Sequence, residues 1–190
     1  MSCETILNQI TIIFDKYKTK FFKLPKEQRL TEYEKACGFT EKSRIGSKQF
    51  SNQFGYFMED IYTTSAKFNK INNKNKQKGG NDGENSNEYF ECKNRYDTMK
   101  QSLAYNEIKP KLEVAIKENK HFTLFILIDH KYKNRNIPLH NGFGLKKIKE
   151  LNGYDEKIHR WISGNNIYEY LFNEDWKIIK QYILELLKQL

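Results

Sequence analysis

Asp82, Glu91 and Lys93 are the residues whose types and spacing could do chemistry together. The stretch 88–94, Glu-Tyr-Phe-Glu-Cys-Lys-Asn, alternates in the manner of a strand. Successive strand side chains point to opposite faces, so Tyr89, Glu91 and Lys93 share one face while Phe90, Cys92 and Asn94 share the other. Phe90 and Cys92 are expected to enter the core, leaving Glu91 and Lys93 as neighbours at the sheet's edge. Asn81-Asp82-Gly83 is turn chemistry. If it lies on the preceding arm of a hairpin, the Asp82 carboxylate meets that of Glu91. Two converging carboxylates are stable together only around a cation. Hard oxygen ligands without His or thiolate point to Mg²⁺, with water and substrate phosphate completing its shell. An ammonium beside such an ion can orient or help deprotonate the attacking water and neutralise charge developing on phosphorus. Acid, acid and lysine form the minimal kit for metal-assisted phosphodiester hydrolysis. Plainer readings stand beside it: Asp82 as a turn residue with Glu84 its rival as ligand, and Lys93 as a solvated strand-end lysine.

The elements that must position these groups follow from periodicity. Ile6, Ile10, Ile13, Phe14, Tyr17 and Phe21 predict an amphipathic helix over 4–22, stopped by Leu24-Pro25. A second short helix is expected within 27–36, and Phe50, Phe54, Phe57 and Ile61 mark a third from Lys48 to about Phe68. Residues 71–87, rich in Asn, Lys and Gly, read as a loop entering and leaving a short hairpin arm. Asp97-Thr98 can cap a helix through Met99, Leu103, Tyr105 and Ile108, in which Pro110 either kinks the helix or begins a second segment reaching Lys120. His121–Asp129 is nearly continuous apolar, as suits a central strand buried on both faces. A basic loop follows, then 145–151 of undecided state, a strand over 158–162, a short helix ending near Phe172, and a last helix capped by Asp175. The class is α/β, a central mixed sheet flanked by helices, whose crossover should be right-handed. One domain is expected over 1–190: an N-terminal helical part about 1–47, a catalytic core about 48–172 and a C-terminal helix about 175–190.

Composition bounds the partners. The 190 residues carry a formal net charge of +9, with 38% hydrophobic and 14% aromatic residues, enough to build a core. No apolar run approaches the ~20 residues that span a bilayer, and no signal peptide is evident, so a cytoplasmic protein without a membrane partner is expected. Cys3, Cys37 and Cys92 form no CxxC and no even set, which argues against a disulfide framework or structural zinc. The basic excess is the footprint of a nucleic-acid binder, although the Lys- and Asn-rich usage of an AT-rich genome supplies part of it. The clusters are more telling. Lys67–Lys78 and Lys131–Lys149 contain no acid, whereas acids gather over 82–91. Two basic stretches around an acidic centre suit phosphate contacts around a metal site. Candidates for contact with double-stranded DNA are Lys74, Lys76, Lys78, Lys131, Lys133, Arg135, Asn136, His140 and Asn141. Arg and Lys favour guanine edges, and Asn favours adenine.

Asp82 followed by Glu91-Cys92-Lys93 resembles the D…(D/E)xK signature of the PD-(D/E)xK nuclease superfamily. The continuation Lys93-Asn94-Arg95-Tyr96-Asp97-Thr98-Met99 is similar to the KN(K/R)xNTM segment of some type II restriction endonucleases, and Trp161-Ile162-Ser163-Gly164 with Tyr168 and Leu171 is similar to a later segment of the same enzymes. The resemblance covers about 48–172. It departs from the pattern in having Asn81 where proline stands before the first acid, and in a short spacing to Glu91. It implies a restriction-endonuclease-like αβββαβ core, Mg²⁺ dependence and 5′-phosphate products. By position, Asp82 and Glu91 become metal ligands, the carbonyl of Cys92 a further ligand, Lys93 the catalytic amine, and Glu59 a candidate additional acid from the preceding helix. Cutting both strands implies a homodimer. Gln101 and Tyr105 form a QxxxY pattern known from a related branch, with helix–sheet packing as the equal alternative. Asp129-His130 with His140-Asn141 only faintly resembles an HNH motif, whose third member is absent. Two rivals remain: a structure-directed or repair nuclease of the same fold, and a non-enzymatic DNA-binding module.

Overall fold

In the first helix, α1 (Cys3–Phe21), the buried residues Ile6, Ile10, Phe14 and Tyr17 recur at the spacing of one helix face. The Ser2 hydroxyl begins it by accepting the Thr5 N–H at 3.2 Å. In the computed structural model, residues 1–21, 33, 36, 47–71, 80–95, 101–128 and 134–190 are described. The expected helix within 27–36, apart from two single positions, and the Asp129-His130 pair lie outside them. The chain forms two units, 1–66 with 168–190, and 67–167.

The first unit is helical. Helix α1 packs against α2 (Ser47–Thr63) and against α5 (Trp176–Leu187), which follows the short helix α4 (Asn165–Phe172) in the chain. Phe54, Phe57, Met58 and Ile61 bury one side of α2, while Ile179, Ile183 and Leu187 bury one side of α5. Asp60, the acid buried among these helices, is held by Lys16 Nζ at 2.6 Å and by the Tyr17 hydroxyl at 2.9 Å. A buried carboxylate needs such partners. Burial and this bond raise the pKa of the Tyr17 phenol well above its usual value. Two expectations are corrected here. Helix α2 stops at Thr63 rather than near Phe68, because Ala66 takes a left-handed φ of 59° and the chain turns into a strand at Asn69. Asp175 precedes α5, yet its side chain makes no capping bond. Among the described residues no helix is long and apolar enough to cross a membrane.

The second unit is a six-stranded mixed sheet: β1 (Asn69–Lys70), β2 (Gly83–Glu84), β3 (Glu88–Arg95), β4 (His121–Ile128), β5 (Arg135–Pro138) and β6 (His159–Ser163), in the order β1-β2-β3-β4-β6-β5. β1, β2 and β3 form an antiparallel meander, β3, β4 and β6 run parallel, and β5 returns antiparallel at the far edge. The order α2-β1-β2-β3-α3-β4, with α3 (Gln101–Lys117) as crossover, is the α/β arrangement that the sequence pattern predicts. The basic loop after β4 proves to contain a strand. Arg135-Asn136-Ile137-Pro138 shows no alternation strong enough to announce one, and its pairing with β6 defines it.

Both faces of the sheet are covered where β3 and β4 meet. On one face Phe90, Phe125 and Phe68 pack together at tilted and edge-on angles, the closest pair of ring centroids 4.2 Å apart. On the other, Tyr89, Phe122, Leu124, Ile126 and Trp161 pack against Ala104, Ile108, Leu112 and Ala115 of α3. Helix α3 runs through Pro110 as one element. The proline leaves the Asn106 carbonyl without its helical donor, but both residues are exposed, so water can replace that donor at little cost. Gly83 has to be glycine because it lies opposite Phe90, whose ring would stand 2.0 Å from an added Cβ.

One buried histidine makes this unit sensitive to acid. His159 on β6 is 1% exposed, its ring lies 5.4 Å from that of Tyr154, and neither nitrogen has a hydrogen-bond partner among the described residues. Burial, aided by His121 and opposed by Asp155, lowers its pKa from 6.5 to about 4. The unfolded chain therefore binds a proton between pH 6.5 and 4 that the folded chain refuses, and stability falls as pH drops through that window. The loss amounts to roughly 3 kcal/mol once both states are protonated. Urea unfolding midpoints between pH 7 and 4 should show this decline, and His159→Leu should flatten it; an equal slope in the variant would refute the assignment.

Candidate active site at the β2–β3 edge

The register sets the site. Gly83 pairs with Phe90 and Glu84 with Tyr89, so one step further Asp82 stands across from Glu91. The Asp82 N–H donates to the Phe90 carbonyl at 3.1 Å, and the Asp82 carboxylate then takes over from the backbone, with Oδ2 accepting the Cys92 N–H at 2.8 Å. This bond fixes the first acid against the strand that carries the second. A strand residue's carbonyl points to the same edge as its N–H, which places the Cys92 carbonyl on the Asp82 side.

Glu91 and Lys93 project from the opposite face to Phe90, as alternation requires, but not into open solvent. Glu91 is 1% exposed, a correction to the expected edge position: Tyr89 on the same face is buried under α3, and the helix covers Glu91 too. Burying a carboxylate is tolerable only when both oxygens find partners. Lys93 Nζ lies 2.8 Å from Oε1, and Lys111 Nζ, reaching down from α3, lies 2.5 Å from Oε2. The second contact is a close ion pair without hydrogen-bond alignment. Each ammonium has another partner. Lys93 meets Glu107 Oε1 at 2.5 Å, and Lys111 donates to the Gly80 carbonyl at 2.8 Å. Burial tends to lower the Lys93 pKa, but the Glu91 and Glu107 carboxylates outweigh it and hold the amine firmly protonated.

The site is thus a five-member cluster, Asp82, Glu91, Lys93, Glu107 and Lys111. The last two stand outside the acid–acid–lysine pattern. Their signal was an acid and a lysine four apart on one flank of the Ala104-Ile108-Leu112 stripe, and Lys109 with Glu113 shows the same spacing as an ordinary exposed pair at 3.6 Å. The rival ligand Glu84 is engaged elsewhere, by Lys120 at 3.1 Å, whose ammonium also lies 4.2 Å over the Tyr89 ring. The Tyr89 hydroxyl itself donates to Glu118 Oε2 at 2.7 Å.

Among the described residues no group of three or more His, Cys, Asp or Glu is gathered to hold a metal. Asp82 and Glu91 with the Cys92 carbonyl nevertheless form an all-oxygen donor set, and Mg²⁺ is commonly held by one or two carboxylates plus water and phosphate oxygen. The donor chemistry fits that ion, provided an ammonium yields an oxygen of Glu91.

The remaining candidates are dispersed. Glu59 belongs to the helical unit. Lys74, Lys76, Lys78, Lys131 and Lys133 lie outside the described residues, as does the side chain of Gln101. Arg135 stands in the same cross-sheet row as Lys93, through Ile126 and Ser163, and on the same face. Three inter-strand steps put the two positions about 14 Å apart. Exposed Asn136 accepts the Arg160 guanidinium at both its side-chain and main-chain oxygens, each at 2.9 Å. His140 is tied to Tyr154, Nδ1 to hydroxyl 3.0 Å, with its N–H donating to the same oxygen at 3.2 Å, and Asn141 beside it is exposed. Comparison with known proteins adds no identity: no family model and no curated protein matches this chain.

Proposed function

We propose that this protein is a Mg²⁺-dependent endonuclease that hydrolyses phosphodiester bonds of double-stranded DNA at a short specific sequence, in the manner of a type II restriction endonuclease. The observation that carries the reading is the Asp82–Glu91–Lys93 arrangement, an acid bonded to the strand backbone beside a buried acid paired with a protonated lysine.

In this reading Asp82 and Glu91, with the Cys92 carbonyl, hold Mg²⁺. Once bound there, the ion supplies Lewis acidity and lowers the pKa of water at the site. Lys93 acts as a fixed cation. Its protonated amine, aimed by Glu91 and Glu107, neutralises the charge that grows on the phosphoryl oxygens as a water oxygen attacks phosphorus and the bond to the 3′-oxygen breaks. The products carry a 5′-phosphate and a 3′-hydroxyl. Arg135, sharing the Lys93 row and face, suits a phosphate contact further along the duplex, and exposed Asn136 and Asn141 lie on the same stretch of chain. Cleavage of both strands calls for two such sites related by a twofold axis, hence a homodimer.

The test is digestion of plasmid and mixed-sequence linear duplex with Mg²⁺ and with EDTA, followed by sequencing of the ends. Discrete bands with 5′-phosphate termini, absent in EDTA, are expected. Smears or a preference for branched substrates would move the reading to a repair nuclease of the same fold. Binding of duplex without cleavage under any divalent ion would leave a DNA-binding module.

A further inference from the structure

Lys111 is absent from the acid–acid–lysine pattern, yet it makes the shortest contact to the buried acid, 2.5 Å to Glu91 Oε2. Its side chain is 13% exposed, and its other partner is the neutral carbonyl of Gly80, two residues before Asp82. The charges sort into pairs. Lys93 is shared between Glu91 and half-exposed Glu107, so Lys111 supplies what is needed to neutralise Glu91. An ion held by Asp82 and Glu91 needs an oxygen of Glu91, and Lys111 competes for Oε2 with a like charge. A lysine can yield that place cheaply, since only the end of a flexible four-carbon stem has to move.

We propose that Lys111 is a displaceable counter-ion that guards the divalent-cation site: it neutralises Glu91 in the metal-free protein and weakens cation binding by having to be displaced. The inference rests on the metal-dependent reading above and concerns the binding step alone. Removing the ammonium makes the cation the best remaining partner for Glu91 Oε2, so affinity rises. A lysine that served only to tether the Gly80 arm would have the opposite effect, since losing the tether loosens Asp82.

The test uses the full chain without DNA and Mn²⁺ as the probe, read by loss of the free-ion resonance signal and by Mn²⁺-dependent shifts in melting temperature. Lys111→Met removes charge and tether, whereas Lys111→Gln removes charge but keeps a donor for the Gly80 carbonyl. Both variants should bind Mn²⁺ at least about fivefold more tightly than wild type, the lower end of ordinary coupling between sites. Both should also melt lower than wild type in EDTA and gain more on adding Mn²⁺. Lys111→Gln keeps the test open if Lys111→Met fails to fold. Equal or weaker Mn²⁺ binding in the folded variants overturns the proposal. Mn²⁺ binding by none of the proteins, wild type included, overturns the metal-dependent reading itself and is recognisable as that separate failure.

Discussion

Lys93→Ala is expected to lower the single-turnover cleavage rate by roughly 10²–10³-fold, the usual effect of removing one group that stabilises developing negative charge. The protein should also lose some stability, because buried Glu91 gives up the partner of its Oε1, but less than when the acid itself is removed. Glu91 keeps its contact with Lys111, and Glu107 is 38% exposed and can take water in place of the lost amine. A modest fall in melting temperature beside a rate loss of that size, in a variant still folded at the assay temperature, distinguishes a catalytic loss from general damage. Lys93→Arg sharpens the argument. Glu91 and Glu107 hold the amine protonated, so in this state it serves as a cation and not as a base. Arginine, which stays charged, should retain part of the activity that alanine loses, whereas a lysine acting as base would leave both variants equally inactive. An alanine variant that cuts within about threefold of wild type would remove Lys93 from the reaction altogether.

What could be read in the chain depended on how local its cause was. Glu91 and Lys93 fall on one face because strand alternation is a property of the backbone, and Asp82 meets them because the Asn85-Ser86-Asn87 turn returns the chain alongside. The central strand over 121–128 is legible from its continuous apolar run. Glu107 and Lys111 are a different matter. The apolar stripe of α3 shows which face meets the sheet, but which flanking polar groups hang over β3 depends on how the helix crosses the strands, a relation that no single segment encodes. In a chain that is 30% charged, an acid–lysine pair four apart is ordinary. Strand β5 is hidden for a similar reason, since four residues ending in proline become a strand only because β6 offers an edge. The burial of Glu91 follows from the same helix placement, and it makes this acid behave unlike Asp82.

That difference predicts the largest combined effect in the molecule. Glu91→Ala should abolish cleavage and also destabilise the protein, because it leaves two ammonium groups facing each other under α3 with their shared counter-charge gone. Breaking a buried ion pair on one side costs about 3–5 kcal/mol. For a chain of this size that corresponds to a fall in melting temperature on the order of 10 °C. Asp82→Asn should lose activity with little change in stability, since the amide oxygen can accept the same Cys92 N–H that Oδ2 accepts now. Thermal melts in EDTA read the stability effect without any contribution from a bound cation, and cleavage under Mg²⁺ reads the other. If Glu91→Ala and Asp82→Asn melt alike, the buried carboxylate is not what holds Lys93 and Lys111 in place, and the cluster loses its physical basis. If they melt differently but both cut like wild type, the cluster is a structural ion network and the chemistry lies elsewhere.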